Sequence, residues 1–412
     1  MVLSRNKIAY YFYSLIVYFS YIQNVNVISS DIKWIINKLF YVLVVSFIFI
    51  FFKNFQKINK MEFLSILFLF LFLFFFLVSN LYVFTIKDAL TNIMSNGVLY
   101  FLTFLVFLIS KNILALKEML KPFVMSSFII VFLSILMYFG LNIPYYLDDA
   151  EALDMYLNIK DSNQLVGFSG VYLNQNSLSA TLLVAVGVVI SFYNQYIFEK
   201  KKIIFKVALI INLVLIFLLL LLTISRAAIL AAAILIIIYF SKGIRSKKMF
   251  LTSIFASIFA VIAGLYFINV FNFLLERVQN DGSSFRTLIW KDALTVFKDN
   301  YLFGVGVYRY ETLHSSWSAH NIYIQRLVGS GILSALFWFS WLLLGLVYSI
   351  KIIFLTSFVQ NKRILVLCCC FISILVHQCF EAMISNTFAP ITLAVFLIIS
   401  LVLDKKNQIK YS

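Results

Sequence analysis

Arg226, Arg286 and His320 are the residues whose types and settings point most directly to chemistry. Arg226 stands in Leu222-Thr223-Ile224-Ser225-Arg226-Ala227-Ala228, between two apolar runs. An arginine at the edge of a hydrocarbon layer is costly, about 2.5–3.5 kcal/mol at a helix centre on insertion scales, and usually has a partner. Arg286 lies in Ser284-Phe285-Arg286-Thr287-Leu288-Ile289-Trp290, and His320-Asn321 stands at the entrance to a long apolar stretch. Guanidinium groups match phosphate oxygens through paired hydrogen bonds, so two of them suit a lipid diphosphate leaving group. Imidazole titrates near neutrality and can take the proton of an attacking sugar hydroxyl. Each residue also has a plainer use. Arg226 could snorkel to headgroups as a topological anchor, Arg286 could contact headgroups, and His320 could be a packed hydrogen-bonder.

A second rank of candidates surrounds these three. Asn174 and Asn176 could bind sugar hydroxyls or merely cap a helix, and Asn321 adjoins His320. Arg277, Lys291 and Arg309 could meet glycan or phosphate, with loop solvation as the plainer reading. His377 and Glu381 sit four apart on one helical face near the external end of the eleventh span, and could extend the site or form a structural pair. Asp148-Asp149 could bind a divalent cation, although an acidic loop is more often simply solvated. No P-loop, no HExxH, no complete Rossmann glycine pattern and no DxD in an external loop stands beside them.

The elements that must position these residues are membrane helices. Of 412 residues, 63% are hydrophobic and 12% charged, far more apolar than a soluble domain. Apolar runs long enough to span a hydrocarbon core recur near 8–28, 34–52, 63–78, 93–110, 122–141, 177–198, 207–223, 226–240, 249–270, 322–349, 364–384 and 387–403. A lipid-exposed backbone must satisfy its own hydrogen bonds, and the runs lack barrel-strand alternation, so the expectation is an all-α polytopic membrane protein of about 12 transmembrane helices. The single transmembrane domain occupies 1–412, with no internal repeat.

Charge orients it. Segments 1–7, 53–62, 111–121, 199–206, 241–248, 351–363 and 404–412 hold 22 of the 33 basic residues and four of the 17 acidic ones. The positive-inside rule puts them, and both termini, in the cytoplasm. The formal charge of +16 is then mostly a topology signal and partly contact with anionic lipid, and nucleic-acid binding is a poor reading. The first span carries no small-residue cleavage pattern and is expected to be retained. Cys368, Cys369, Cys370 and Cys379 fall in one predicted span without CxxC spacing, as buried free thiols. Two external segments exceed mere turns: an acidic loop over 142–170 and a larger loop over 271–320. In the latter, Ser283-Ser284 could cap an amphipathic helix over 285–299 lying at the interface, with Trp290 near the headgroups, and Gly304-Val305-Gly306 reads as a turn.

Order, spacing and expected sidedness together resemble the O-antigen polymerase and O-antigen ligase family of bacterial membrane glycosyltransferases. The resemblance rests on Thr223-x-Ser225-Arg226, Arg286-x3-Trp290 with Phe297, Gly304-x-Gly306, and His320-Asn321 with Gly331, over roughly 170–345, and Asn174 and Asn176 add a weaker upstream element. A second glycine common three residues after Gly331 is replaced by Ser334. The resemblance implies a polyprenyl-diphosphate-linked oligosaccharide donor and acceptor, Arg226 and Arg286 neutralising the diphosphate, and His320 activating or orienting the acceptor hydroxyl. Asn174, Asn176, Arg277, Trp290, Arg309 and Asn321 are then the substrate-binding candidates. It implies no metal and no cofactor, an active site facing the periplasm or exterior, and contact with membrane lipids; a chain-length regulator and a flippase are further partners compatible with it. Polymerase is the leading reading, with the ligase that transfers glycan to lipid A core as the near alternative. A lipid-linked oligosaccharide flippase, or a structural component of an assembly complex, belongs to other classes. The missing inverted repeat and the absence of paired Gly/Pro-broken spans speak against transport.

Overall fold

A computed structural model describes residues 4–25, 28–140, 168–172, 174–196, 203–242, 286–306, 319–355, 362–384 and 386–404. Every regular element among them is helical. In chain order they are α1 (Arg5–Gln23), α2 (Ser30–Phe51), α3 (Lys60–Val83), α4 (Ile86–Asn92), α5 (Leu99–Ser110), α6 (Leu116–Tyr138) and α7 (Gln175–Tyr196). There follow α8 (Ile203–Leu222), α9 (Arg226–Ser241), α10 (Arg286–Asp299), α11 (Ile322–Leu355), α12 (Lys362–His377) and α13 (Pro390–Val402). A 3-10 segment, Phe52–Lys57, extends α2, and a π segment, Ile93–Val98, joins α4 to α5.

Among the described residues, six helices are long and apolar enough to cross a membrane: Ser30–Phe55, Lys60–Val83, Leu116–Tyr138, Gln175–Tyr196, Ile203–Leu222 and Ile322–Leu355. Asn96–Ser110, Arg226–Ser241 and Pro390–Val402 are shorter apolar helices. The run at 8–28 corresponds to α1, and the run expected at 249–270 lies outside the described residues. The run at 364–384 ends early as a helix. Buried Gln378 turns its side-chain oxygen back onto the N–H groups of Met383 and Ile384, at 2.8 and 3.0 Å, and the chain continues irregularly to α13. His377 and Glu381 therefore do not share a helical face, because the helix stops between them.

Contacts between helix ends sort the chain into two sides. On one, Lys111 Nζ lies 2.5 Å from Glu62 and 3.6 Å from Asp404, and the Asn59 amide donates to the Leu403 carbonyl. Arg5 stacks over Phe51, Lys117 over Tyr196, and Lys242 donates to the Phe354 carbonyl. These are the segments that carry most of the basic charge. The core between the ends is a continuous apolar cluster in which aromatic rings meet edge to face, as where Tyr100 and Trp341 meet Phe396.

The longest helix is broken, and the break organises the opposite side. At Gly331, φ is 72° and ψ 171°, which frees carbonyls of the preceding turn. The loop after α10 fills the gap: Val305 N–H donates to the Val328 carbonyl and Gly306 N–H to that of Gly329, both at 2.9 Å, while Ile332 N–H donates to the Tyr301 carbonyl at 2.8 Å. Gly304 and Gly331 both have positive φ, and a Cβ on either would overlap the other strand's backbone. The expected turn at Gly304-Val305-Gly306 is thus also a docking element. Ser334, where the resemblance leads one to expect glycine, is buried with its hydroxyl directed at the Phe72 carbonyl, 3.4 Å away. A small side chain is enough for α11 to pack closely on α3.

Candidate functional site

The amphipathic helix expected over 285–299 is α10, and one of its faces packs on protein. Ala293, Val296 and Phe297 pack against Val305, Ala319, Ile324 and Val328, whereas Leu288 and Leu294 are exposed. The Trp290 indole N–H donates to the Ala319 carbonyl at 2.8 Å, so Trp290 pins the residue before His320.

His320 sits in a strained corner. Its φ is 45°, and with Ile224 (φ 51°) it is one of two non-glycine residues of positive φ among the described residues. Histidine tolerates this region better than most side chains; for a β-branched isoleucine it is a genuine outlier. Ile224 lies two residues before Arg226 and the other strained residue is His320 itself, so both strained points fall in the segments singled out for chemistry. Such strain persists only where surrounding structure enforces it, and it clusters at functional sites. Around His320 the enforcement is visible. Asn321 caps α11 by accepting from Tyr323 N–H (3.0 Å) and Ile324 N–H (3.2 Å), and its amide donates to the Cys379 carbonyl at 2.9 Å. Ile322 N–H donates to the Gln378 carbonyl at 3.1 Å.

Those bonds bring the turn after α12 up to the site, and with it Glu381. One carboxylate oxygen lies 2.9 Å from Arg286 Nη2 and the other 3.3 Å from His320 Nδ1. The Glu381 side chain is 4% exposed, against 23% for Arg286 and 31% for His320, so a buried anion holds two partners that face outward. His377 is fully buried and meets Gln378, 3.1 Å from its amide nitrogen. Glu381 is the site residue that sequence reasoning left undecided. The signal was present, as an acidic residue in an apolar segment, but which cation it meets depends on two remote segments.

Arg226 opens α9 and is exposed. Leu235 and Tyr239 of that helix lie beside Cys370 and Cys369 of α12. Nine residues back along α9 and about as many onward from Cys370, an antiparallel register brings the start of α9 level with the turn that carries Glu381. The structure thus joins Arg286 to His320 through Glu381 and puts Arg226 at the same end of the bundle.

The remaining candidates separate. Asn174 is exposed and accepts from Ser177 N–H at 2.8 Å, capping α7. The Asn176 carbonyl accepts from the Ser179 hydroxyl. Lys291 is exposed on α10. Arg277, Arg309, Asp148-Asp149 and Ser283-Ser284 lie outside the described residues. Cys368, Cys369 and Cys370 are buried free thiols, and Cys379 is a half-buried one.

Residues 211–339, which hold Arg226, Arg286, His320 and the glycine break, match the family described as O-antigen ligase. The chain carries a domain of the O-antigen ligase and polymerase family. No curated protein matches the chain. Enzymes of this family transfer lipid-linked glycans at the inner membrane during polysaccharide and lipopolysaccharide assembly. Glu381 falls beyond the matched segment, in the part of the chain that folds back onto it.

Proposed function

We propose that the chain is a repeat-unit polymerase, which moves a polyprenyl-diphosphate-linked glycan onto the next lipid-linked unit at the outer face of the cytoplasmic membrane. About a dozen crossings with both termini inside would give the basic ends their cytoplasmic position and turn the Glu381 end outward. The observation that carries the reading is the single buried carboxylate that joins Arg286 to His320.

In the transfer, the acceptor hydroxyl loses its proton to His320 as its oxygen attacks the donor's anomeric carbon. The bond from that carbon to the diphosphate breaks, and the leaving group departs with the electron pair as the lipid diphosphate. Arg226 and Arg286 neutralise its charge, and the protein supplies position and electrostatics for a donor that is already reactive. Glu381 orients the base. With Nδ1–H donated to the carboxylate, Nε2 keeps the lone pair that accepts the hydroxyl proton. This arrangement uses no metal and no cofactor.

Purified protein incubated with defined prenyl-diphosphate repeat units, with and without a lipid A core acceptor, tests the reading. A ladder without the core supports polymerase, transfer to the core alone indicates the ligase, and neither product removes glycosyl transfer. Arg226→Ala, Arg286→Ala and His320→Ala should each remain in the membrane and abolish elongation. Normal long-chain glycan from a well-expressed variant removes that residue's role.

A further inference from the structure

A second polar feature lies along the same turn as Glu381. A cavity of about 170 Å³ opens between the end of α1, the start of α7 and the segment leading into α13. Its polar lining is Asn24, Tyr172, Ser177, Thr181 and Asn386, and its apolar lining includes Ala180 and Met383. None of the described lining side chains is charged. Tyr172 is 1% exposed, and its hydroxyl, which faces Thr181, makes no hydrogen bond of normal geometry among the described residues. A buried hydroxyl left in that state costs about 1–3 kcal/mol, which a bound polar molecule can recover.

The chemistry of the lining selects the occupant. Phosphate or a carboxylate would need a cation, which the described lining does not offer, and a prenyl tail would leave the buried Tyr172 hydroxyl unsatisfied. A neutral sugar ring offers both an apolar face and hydroxyls that donate and accept. The volume is that of about six waters at ~30 Å³ each, the bulk of one ring. Ala382 and Met383 of the wall follow Glu381 directly in the chain, which sets the cavity next to the residue that joins Arg286 to His320.

We propose that this cavity is a subsite for one uncharged sugar residue of the lipid-linked glycan. The proposal rests on the glycosyl-transfer reading and assigns the recognition expected of Asn174 and Asn176 to their neighbours Tyr172, Ser177 and Thr181.

The test uses the full chain in lipid nanodiscs. Saturation-transfer NMR is recorded with glucose, galactose, mannose, N-acetylglucosamine and N-acetylgalactosamine, for the unaltered protein, Ala180→Leu, Tyr172→Phe and His320→Ala. At least one sugar should bind. Ala180→Leu, which fills the cavity, should abolish that signal; Tyr172→Phe, which removes one hydroxyl, should weaken it about two- to tenfold; His320→Ala should leave it intact. No binding by any of the five, as from a cavity that holds only water, overturns the subsite, as does a signal that survives Ala180→Leu and Tyr172→Phe alike. Turnover separates the two ideas. If lipid-linked units are elongated and the two cavity variants leave KM unchanged, the subsite falls and glycosyl transfer stands; cavity-dependent sugar binding without turnover retains the subsite and removes the transferase.

Discussion

At the scale of single residues, the site depends on how one carboxylate is divided. Glu381 gives one oxygen to Arg286 and the other to His320, so its removal alters both partners at once. A hydrogen bond to a charged group contributes about 1.5–3 kcal/mol. Glu381→Gln keeps the shape but has one acceptor oxygen where two are needed, so either the guanidinium or the imidazole loses its partner. Elongation by this variant should fall about 10- to 100-fold in kcat, with the protein still folded. Initial rates of ladder formation check this, and a rate within twofold of the unaltered protein would remove Glu381 from the mechanism. Arg226 was visible from type and context, because a guanidinium between apolar runs needs an explanation, whereas Arg286 and His320 drew weight from occurring together with it. Glu381 was not resolved, since its partners lie 95 and 61 residues away along the chain.

Among the elements, α10 and α11 act as one unit because a helix break and a glycine turn interlock. The backbone of 301–306 supplies the partners that the break at Gly331 would otherwise leave unmet, so α10 is fixed relative to His320 through main-chain bonds as well as side-chain packing. Gly331→Ala should be damaging on two counts. It forces a side chain into a left-handed conformation at about 1–2 kcal/mol, and it pushes the Cβ into the Leu302 carbonyl. Thermal unfolding in detergent should show a midpoint several degrees lower, with loss of elongation; an unchanged midpoint and full activity would mean that the interlock is dispensable. From periodicity, the amphipathic character of α10 suggested a membrane surface as its partner. That pattern reports that a face is to be covered but leaves the cover unnamed, and Ala293, Val296 and Phe297 meet protein.

For the molecule as a whole, the two ends differ in what holds them. The basic end is tied by buried charge: Glu62 is fully buried and Lys111 Nζ lies 2.5 Å from it. Lys111→Met should cost about 3–5 kcal/mol, because it leaves a carboxylate without its nearest cation in an apolar setting. The measurement is the yield of folded protein after detergent extraction, and a normal yield would show that the pair contributes little. Helical class, the positions of six long apolar helices and the α10 helix followed from the sequence by itself, and so did the nomination of Arg226, Arg286 and His320 as candidates. Hydropathy, charge and rare residue types act locally, so a linear reading captures them. Only the tertiary structure decided where α12 stops, what α10 packs against, that Glu381 joins Arg286 to His320, and that Tyr172 and Asn386 share a cavity. Each of these is a pairing between remote segments, decided by which buried polar groups must find partners once the helices are packed, and no local pattern encodes that choice.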